Sequence, residues 1–598
     1  MSWQKLSYRR LLVLSMDQPL GGVPSSSSDS TARRLRLAMF LLLLPLVFVA
    51  LHSAIHLTDP KNPIFVDVTR EAGLAGFRNV QGSSSKQHIV ETMGGGCAFL
   101  DYDRDGNLDI LLVRGSTVEQ FPKGGDPVCA LFRGDGQGHF QDVTAAAGLS
   151  SKGWGMGVAI GDVDNDGWED VYITCYGPNR LFRNLGNGKF EEVGEASGVA
   201  DPRWSVGASF ADIDHDGDLD LYVANYVAYD LNRQPSGGAP CTYRGFNVFC
   251  GPRGLPGSRD ALFLNDGKGH FKDVAEERDI DPDALYGMGT VIADYDNDGW
   301  PDIFVANDLT PNLLYHNVGG GRFEETGILA SVAFDENGVE EGSMGADFGD
   351  FNNDGWLDLY YTNSSYQTNQ LAINNQKSAF SLRSYALGHG ESTFLYVGWG
   401  TFWGDLDNDG WEDIFVVNGH LYADADRFDM GLKYKQRKLL FMNLAGKMFK
   451  ESAASWGAVL SQPDNSRGLA YGDYDNDGDL DVLINNQDAA PVLLRNDGGN
   501  RNAWLSVQLA GRQSNRSAVG ARVILRSAGK EQVRETKAGS SYASQNDSRL
   551  HFGLGDLKQV DELEIRWPSG KIDKFSKLPA NQILVVDEQQ GIQKNPTK

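Results

Sequence analysis

Cysteine is scarce in this chain: Cys97, Cys129, Cys175, Cys241 and Cys250 are the five in 598 residues, and no two form a CxxC pair. That spacing defines no zinc or thiol-redox centre. Basic residues are outnumbered, 54 against 80 acidic, and form no stripe, which argues against binding to nucleic acid. The motifs G-x-S-x-G, H-E-x-x-H, G-x-x-x-x-G-K-[ST] and G-x-G-x-x-G are all missing. Their absence removes the local signatures of a hydrolase elbow, a zinc protease, a P-loop and a dinucleotide fold. The ten histidines are scattered, and there is a single long apolar run, LAMFLLLLPLVFVAL at 37–51.

What the chain has in abundance is one nine-residue acidic loop, written seven times: DYDRDGNLD (101–109), DVDNDGWED (162–170), DIDHDGDLD (212–220), DYDNDGWPD (294–302), DFNNDGWLD (350–358), DLDNDGWED (405–413) and DYDNDGDLD (473–481). Positions 1, 3, 5 and 9 are the candidate side-chain ligands. They are Asp101, Asp103, Asp105 and Asp109; Asp162, Asp164, Asp166 and Asp170; Asp212, Asp214, Asp216 and Asp220; and Asp294, Asp296, Asp298 and Asp302. The remaining three loops supply Asp350, Asn352, Asp354 and Asp358; Asp405, Asp407, Asp409 and Asp413; and Asp473, Asp475, Asp477 and Asp481. Position 7 varies, which suits a backbone carbonyl ligand, and the Gly at position 6 permits the positive φ that folds the chain around an ion. Oxygen-rich cages of this kind suit a hard cation, and calcium, with six to eight ligands in loose geometry, is the expected occupant of up to seven structural sites. Asn352 replaces a carboxylate with an amide, so binding is expected to be weaker in the fifth loop.

An EF-hand would require a Glu at position 12 within a helix. Position 12 is Leu112, Ile173, Val223, Val305, Tyr361, Val416 and Ile484, in runs such as ILLV and IFVA that read as strands. The loops also account for the charge. They hold 29 aspartates at odd positions, and without these the balance is 54 basic to 51 acidic residues. Metal-free cages would crowd carboxylates within about 5 Å, each pair repelling by on the order of a few kcal/mol at an effective dielectric of about 20, so metal binding and folding are expected to be coupled. Carboxylates engaged with a cation are not available as proton donors.

Successive loops begin 61, 50, 82, 56, 55 and 68 residues apart, the period of a propeller blade. Hairpins follow most of them: LFRGDGQGHFQDV (131–143), LFRNLGNGKFEEV (181–193), LFLNDGKGHFKDV (262–274) and LLYHNVGGGRFEET (313–326). About four strands per unit predict an all-β, seven-bladed β-propeller over 62–500, with IFVDVT (64–69) supplying the closing strand. The longest gap holds an insertion at 229–260, where Cys241 and Cys250 are either disulfide-bonded, given an oxidising compartment, or free thiols. Short alternating strands at 502–588 predict a small separate β domain behind the propeller.

Residues 1–36 are basic and of low complexity, and 37–55 are a transmembrane anchor or the h-region of a signal peptide. Basic residues before the apolar run place the remainder outside the cytoplasm. The product is then membrane-anchored with an extracytoplasmic propeller, or secreted if the segment is cleaved.

The units MGGGCAFLDYDRDGNLDILL and GMGTVIADYDNDGWPDIFVAN, with their N-x-G-x-G-x-F hairpins, resemble FG-GAP/VCBS repeats, the class found in integrin α-subunit propellers. NRSAVGARVILR, SQNDSRLHFGLG and VDELEIRWPSGK resemble an ASPIC/UnbV domain. Together, across 62–588, they are similar to the cartilage-acidic-protein-like family. The resemblance implies the propeller fold and calcium at the loop positions above, and it names no ligand.

Few other residues stand out. His215, at variable position 4, reads as a solvated bystander. His88 and Glu91 either face a central channel or make polar contacts that close a blade, and Trp168, Trp300, Trp356 and Trp411 are expected to pack between blades. Two functions remain open: a calcium-binding module that presents a face to an unidentified protein or glycan, or a propeller enzyme acting on polysaccharide from a site in the central channel.

Overall fold

The computed structural model describes residues 64–232, 241–243, 245–376, 378–427 and 431–593. The anticipated N-terminal segments 1–36 and 37–55 lie outside that set. Among the described residues no helix is long and apolar enough to cross a membrane. Asn62–Lys598 forms one compact unit.

Each acidic loop joins the first two strands of a four-stranded antiparallel sheet, and among the described residues there are seven such sheets. In the first, Cys97–Leu100, Asp109–Val113, Cys129–Gly134 and Phe140–Asp142 follow one another across the sheet. The seventh is assembled from both ends of the ring: Ser466–Gly472, Asp481–Asn486 and Val492–Asp497 are completed by Ile64–Asp67, with Ile64 opposite Asp497. IFVDVT is therefore the closing strand. The inner strand of each blade packs on that of the next, and the seventh returns to the first.

A glycine stands five residues before every loop: Gly96, Gly157, Gly207, Gly289, Gly345, Gly400 and Gly468. These glycines permit the close approach at the axis. A Cβ on Gly207 would lie 2.5 Å from the Met288 carbonyl oxygen, one on Gly289 2.0 Å from that of Met344, and one on Gly345 2.2 Å from that of Trp399. No larger residue fits between neighbouring backbones at that spacing.

The C-terminal domain consists of two four-stranded sheets. One contains Ala503–Ala510, Leu550–Gly555, Gln582–Asp587 and Gly591–Gln593; the other contains Arg522–Ser527, Lys530–Glu535, Gln559–Arg566 and Ile572–Pro579. Leu505, Val507, Val523, Leu525, Phe552, Leu563 and Ile565 form its own core. It does more than pack behind the ring. The segment between Lys530–Glu535 and Leu550–Gly555 enters the axis and hydrogen-bonds to the inner strands. Phe210 N–H donates to the Ala538 carbonyl (2.8 Å), Ala346 N–H to Ser541 (3.0 Å), Val158 N–H to Ala543 (3.0 Å) and Phe99 N–H to Gln545 (3.2 Å). Thr401 N–H reaches the Ser541 hydroxyl (3.1 Å) and Tyr471 N–H the Asn546 side chain (3.0 Å). The central channel is thus plugged by this chain's own residues.

Tyr542 forms the tip of the plug, fully buried among Met93, Val206, Met288, Met344 and Trp399. Tyr229, Leu231, Phe249 and Leu255 of the insertion lie against the same cluster. Cys241 and Cys250 are disulfide-bonded, a short hairpin pairs Cys241–Tyr243 with Phe246–Val248, and Phe249 packs on Tyr422 with ring centres 4.9 Å apart. Cys97, Cys129 and Cys175 are buried free thiols.

Because Tyr542 fills the axis from one end, Tyr542→Ala is expected to destabilise the whole ring by about 3–5 kcal/mol, the cost of truncating a large buried aromatic side chain. Chemical denaturation followed by tryptophan fluorescence would measure it.

Candidate metal centres

The seven loops share one hydrogen-bond pattern. The position-1 carboxylate accepts the N–H of position 5 at 3.0–3.1 Å and that of the position-6 glycine at 2.7–3.1 Å. The position-5 carboxylate accepts the N–H of position 7 at 2.8–3.2 Å. Position 4 is left-handed in every loop, with φ between 54° and 61° at Arg104, Asn165, His215, Asn297, Asn353, Asn408 and Asn476. Asn tolerates that region better than most residues, and five of the seven are Asn.

The position-9 aspartate ties each loop to its blade. One oxygen accepts the N–H of position 2 at 2.9–3.3 Å, and the other accepts an N–H from the third strand at 2.7–2.9 Å. In six blades that third-strand residue is an asparagine: Asn184, Asn265, Asn317, Asn374, Asn443 or Asn496. Its side-chain amide donates at 2.7–2.9 Å to the position-2 carbonyl of the preceding blade's loop. Blade one has Gly134 there, where a Cβ would lie 2.3 Å from the Leu108 carbonyl oxygen. These asparagines were missed as contact residues, although each opens a hairpin turn in the sequence.

Position 4 makes a second ring of contacts, each reaching the next loop. Arg104 lies over Trp168 at 5.3 Å, Asn165 donates to the Gly217 carbonyl (3.1 Å), and Asn297, Asn353, Asn408 and Asn476 donate to the carbonyls of Gly355, Gly410, Gly478 and Gly106. His215 belongs to this ring. It stacks on Trp300 with ring centres 4.0 Å apart and planes at 12°, which overturns its reading as a solvated bystander. Trp168 and Trp300 accordingly sit between blades.

The predicted ligand positions converge. Positions 1, 3 and 9 of the first three loops each bring oxygens within 4.8 Å of one another, as do Asp294, Asp296 and Asp298 in the fourth. In five loops one position-3 oxygen, Oδ1 of Asp103, Asp164, Asp214, Asp407 or Asp475, is buried without any protein partner. A buried carboxylate oxygen without a donor is costly, and a cation in the cage would satisfy it. The residues therefore fit a bound divalent ion. Burial, reinforced by neighbouring carboxylates, pushes Asp162 and Asp212 up to about 7. Burial is also the main cause at Asp109 and Asp220, raised to about 8, and it holds Asp170 and Asp358 well above the usual carboxylate range.

The C-terminal domain docks on this loop face with basic side chains. Arg534 pairs with Glu412 (3.0 Å) and Lys537 with Asp347, while Arg522 donates to the carbonyls of Asp294 (3.1 Å) and Gly355 (2.8 Å). Arg549 reaches Asn476 Oδ1 and the Asp473 carbonyl, both at 2.6 Å. Between the third and fourth loops and this domain lies a cleft of about 310 Å³, lined in part by His215, Asp298, Arg522 and Trp567. His88 and Glu91 build a turn: Glu91 accepts the N–H groups of Ser83, Gln87 and His88 at 2.5, 2.5 and 2.7 Å, and His88 Nδ1 lies 2.7 Å from the Tyr229 hydroxyl.

Residues 101–173, 162–223, 248–305, 294–361 and 350–416 match the family described as FG-GAP-like repeat, and 511–593 match that described as ASPIC and UnbV. The chain thus carries FG-GAP-like repeats within its β-propeller and a C-terminal ASPIC and UnbV domain. Its curated relatives include cartilage acidic protein 1: that of Mus musculus is 26% identical over 319 residues, 50% of this chain and 45% of the relative. The Xenopus tropicalis protein is 29% identical over 299 residues, 48% of this chain and 42% of the relative. The matched stretch spans under half the length of either. Among solved structures, an Agrocybe aegerita protein titled for specific recognition of non-reducing terminal N-acetylglucosamine aligns over 67% of this chain and 87% of its own, at 16% identity and a TM-score of 0.37. So loose a likeness has no bearing on function. The seventh loop lies beyond the matched repeats yet has the same geometry.

Two outcomes follow. Asn443→Ala removes a buried inter-blade bond to the Phe351 carbonyl and is expected to cost about 1–3 kcal/mol, read from denaturant midpoints. The raised carboxylates fix a pH slope for the metal-stripped protein. Between the unfolded value near 3.8 and folded values of about 7 to 8, the folded state binds more protons than the unfolded. Stability is then greatest on the acid side of that window and lost as pH rises through the folded values. Melting of stripped protein is expected at lower temperature at about pH 8 than at about pH 6, and saturating divalent cation should flatten the difference.

Proposed function

We propose that the chain is an exported, calcium-stabilised binding or adhesion module for a protein or glycan, with calcium acting as structural cement in each blade. The observation that carries this reading is the set of buried position-3 oxygens without protein partners, inside loops whose other atoms hold the ring together. Their place in the inter-blade network favours a structural metal over a catalytic one. The donors are oxygens in nearly every cage, which suits calcium, and the calcium levels found outside cells suit loops of modest affinity. The Cys241–Cys250 bridge and the basic-then-apolar N-terminus support export.

The competing reading, a polysaccharide-active enzyme with its site in the central channel, meets a specific obstacle. Residues from Ala538 to Asn546 occupy that channel and hydrogen-bond to its walls. An enzymatic site would have to lie elsewhere, for instance in the cleft beside Trp567.

Chelation tests the calcium claim. EGTA should lower the melting temperature of the protein by many degrees, and added calcium should restore it; an unchanged melt would refute structural calcium. Glycan and protein arrays probed with calcium-loaded protein, alongside turnover assays on polysaccharides, test the binding claim. Turnover that survives repurification and disappears on mutation of the cleft would overturn it.

A further inference from the structure

Besides Asn352 and the variable position 7, the seven cages differ in one flanking side chain. The residue immediately before the third-strand asparagine, or before Gly134 in blade one, belongs to the strand that receives the position-9 carboxylate. It is Arg133, Arg183 and Arg495 in three blades and Leu264, Ile373 and Met442 in three others. Arg133 shows where this side chain reaches: its guanidinium lies 2.6 Å from Asp103 Oδ2 and 3.0 Å from Asp105 Oδ2. A guanidinium can balance the charge of a cage but has no lone pair for a cation. Leucine and isoleucine offer no donor, and a thioether suits soft ions.

Blade four has His316 at this position. Its Nδ1 lies 3.1 Å from Asp302 Oδ1 and 3.5 Å from Asp296 Oδ2, and the three side chains bring ligand atoms within 4.8 Å of one another. Asp302 is fully buried and is held in place by the N–H groups of Tyr295 and Asn317. Asp296 lacks the partnerless buried oxygen seen at position 3 in five other loops.

We propose that the fourth cage is a mixed imidazole–carboxylate site that takes a first-row transition cation, zinc above all, in preference to calcium. The proposal rests on the reading that the cages hold cations, and it departs from that reading in the identity of this one ion. Calcium is ligated by oxygen, whereas an imidazole nitrogen among carboxylates favours zinc, cobalt or nickel.

The test uses the full chain, stripped with chelator and repurified, then given limiting zinc in a large excess of calcium, with bound metal counted by elemental mass spectrometry. One zinc per chain should be retained. His316→Gln should lose that equivalent while its melting temperature in excess calcium stays near that of the parent. Leu264→His, which puts an imidazole over the third cage, should gain a second equivalent. With cobalt in place of zinc, nitrogen hyperfine coupling in the electron spin echo should be present in the parent and absent in His316→Gln. No zinc retained by the parent, or the same equivalent retained by His316→Gln, overturns the proposal. Should His316→Gln fail to fold, the gain by Leu264→His and the parent's hyperfine signal decide. None of these readouts depends on the EGTA melt, so calcium in the other cages and zinc in the fourth fail separately.

Discussion

The position-9 carboxylate of each loop is the point through which three levels of structure are joined. One of its oxygens closes the cage onto its own backbone, and the other anchors the loop to the third strand. Where that strand presents an asparagine, the side chain carries the connection on to the neighbouring blade. A change at this carboxylate would loosen cage, sheet and ring together. The same coupling makes a bound cation more than a local neutraliser, because tightening one cage tightens the attachment of the blade beside it.

Charge is arranged to match. The loops crowd negative groups onto one face of the ring, and the C-terminal domain lays Arg522, Arg534, Lys537 and Arg549 over that face. Two kinds of cation therefore serve the acidic loops, one expected within them and one delivered by the domain above. The insertion with its disulfide closes the other mouth of the axis through Phe249 and Tyr422. The ring is covered at both ends by parts of its own chain.

The propeller was legible because its signal repeats. Seven loops in register with strand-like runs fixed the fold class, the closing strand and the side-chain positions that converge in each cage. Apart from the loop tryptophans, what escaped was contact between repeats, which no single unit displays. His215 looked idle because its partner, Trp300, lies in the following loop 85 positions away. The clamping asparagines read as turn residues, and the glycine five positions before each loop read as part of a glycine-rich strand, though both recur in the sequence with fixed spacing. The plug was invisible for another reason. Residues 538–546 have the small, polar composition of a surface loop, and they are buried only because a channel of matching width lies beneath them.

The order in which the plug and the ring are synthesised differs from their order in space. Blade seven needs Ile64–Asp67 from the beginning of the chain and Val492–Asp497 from far along it, so the ring closes only after nearly all of the propeller has emerged. The plug follows about forty residues later and hydrogen-bonds to the inner strands of six of the seven blades. Tyr542 accordingly fits only where several blades meet, since Val206, Met288, Met344 and Trp399 come from four successive blades.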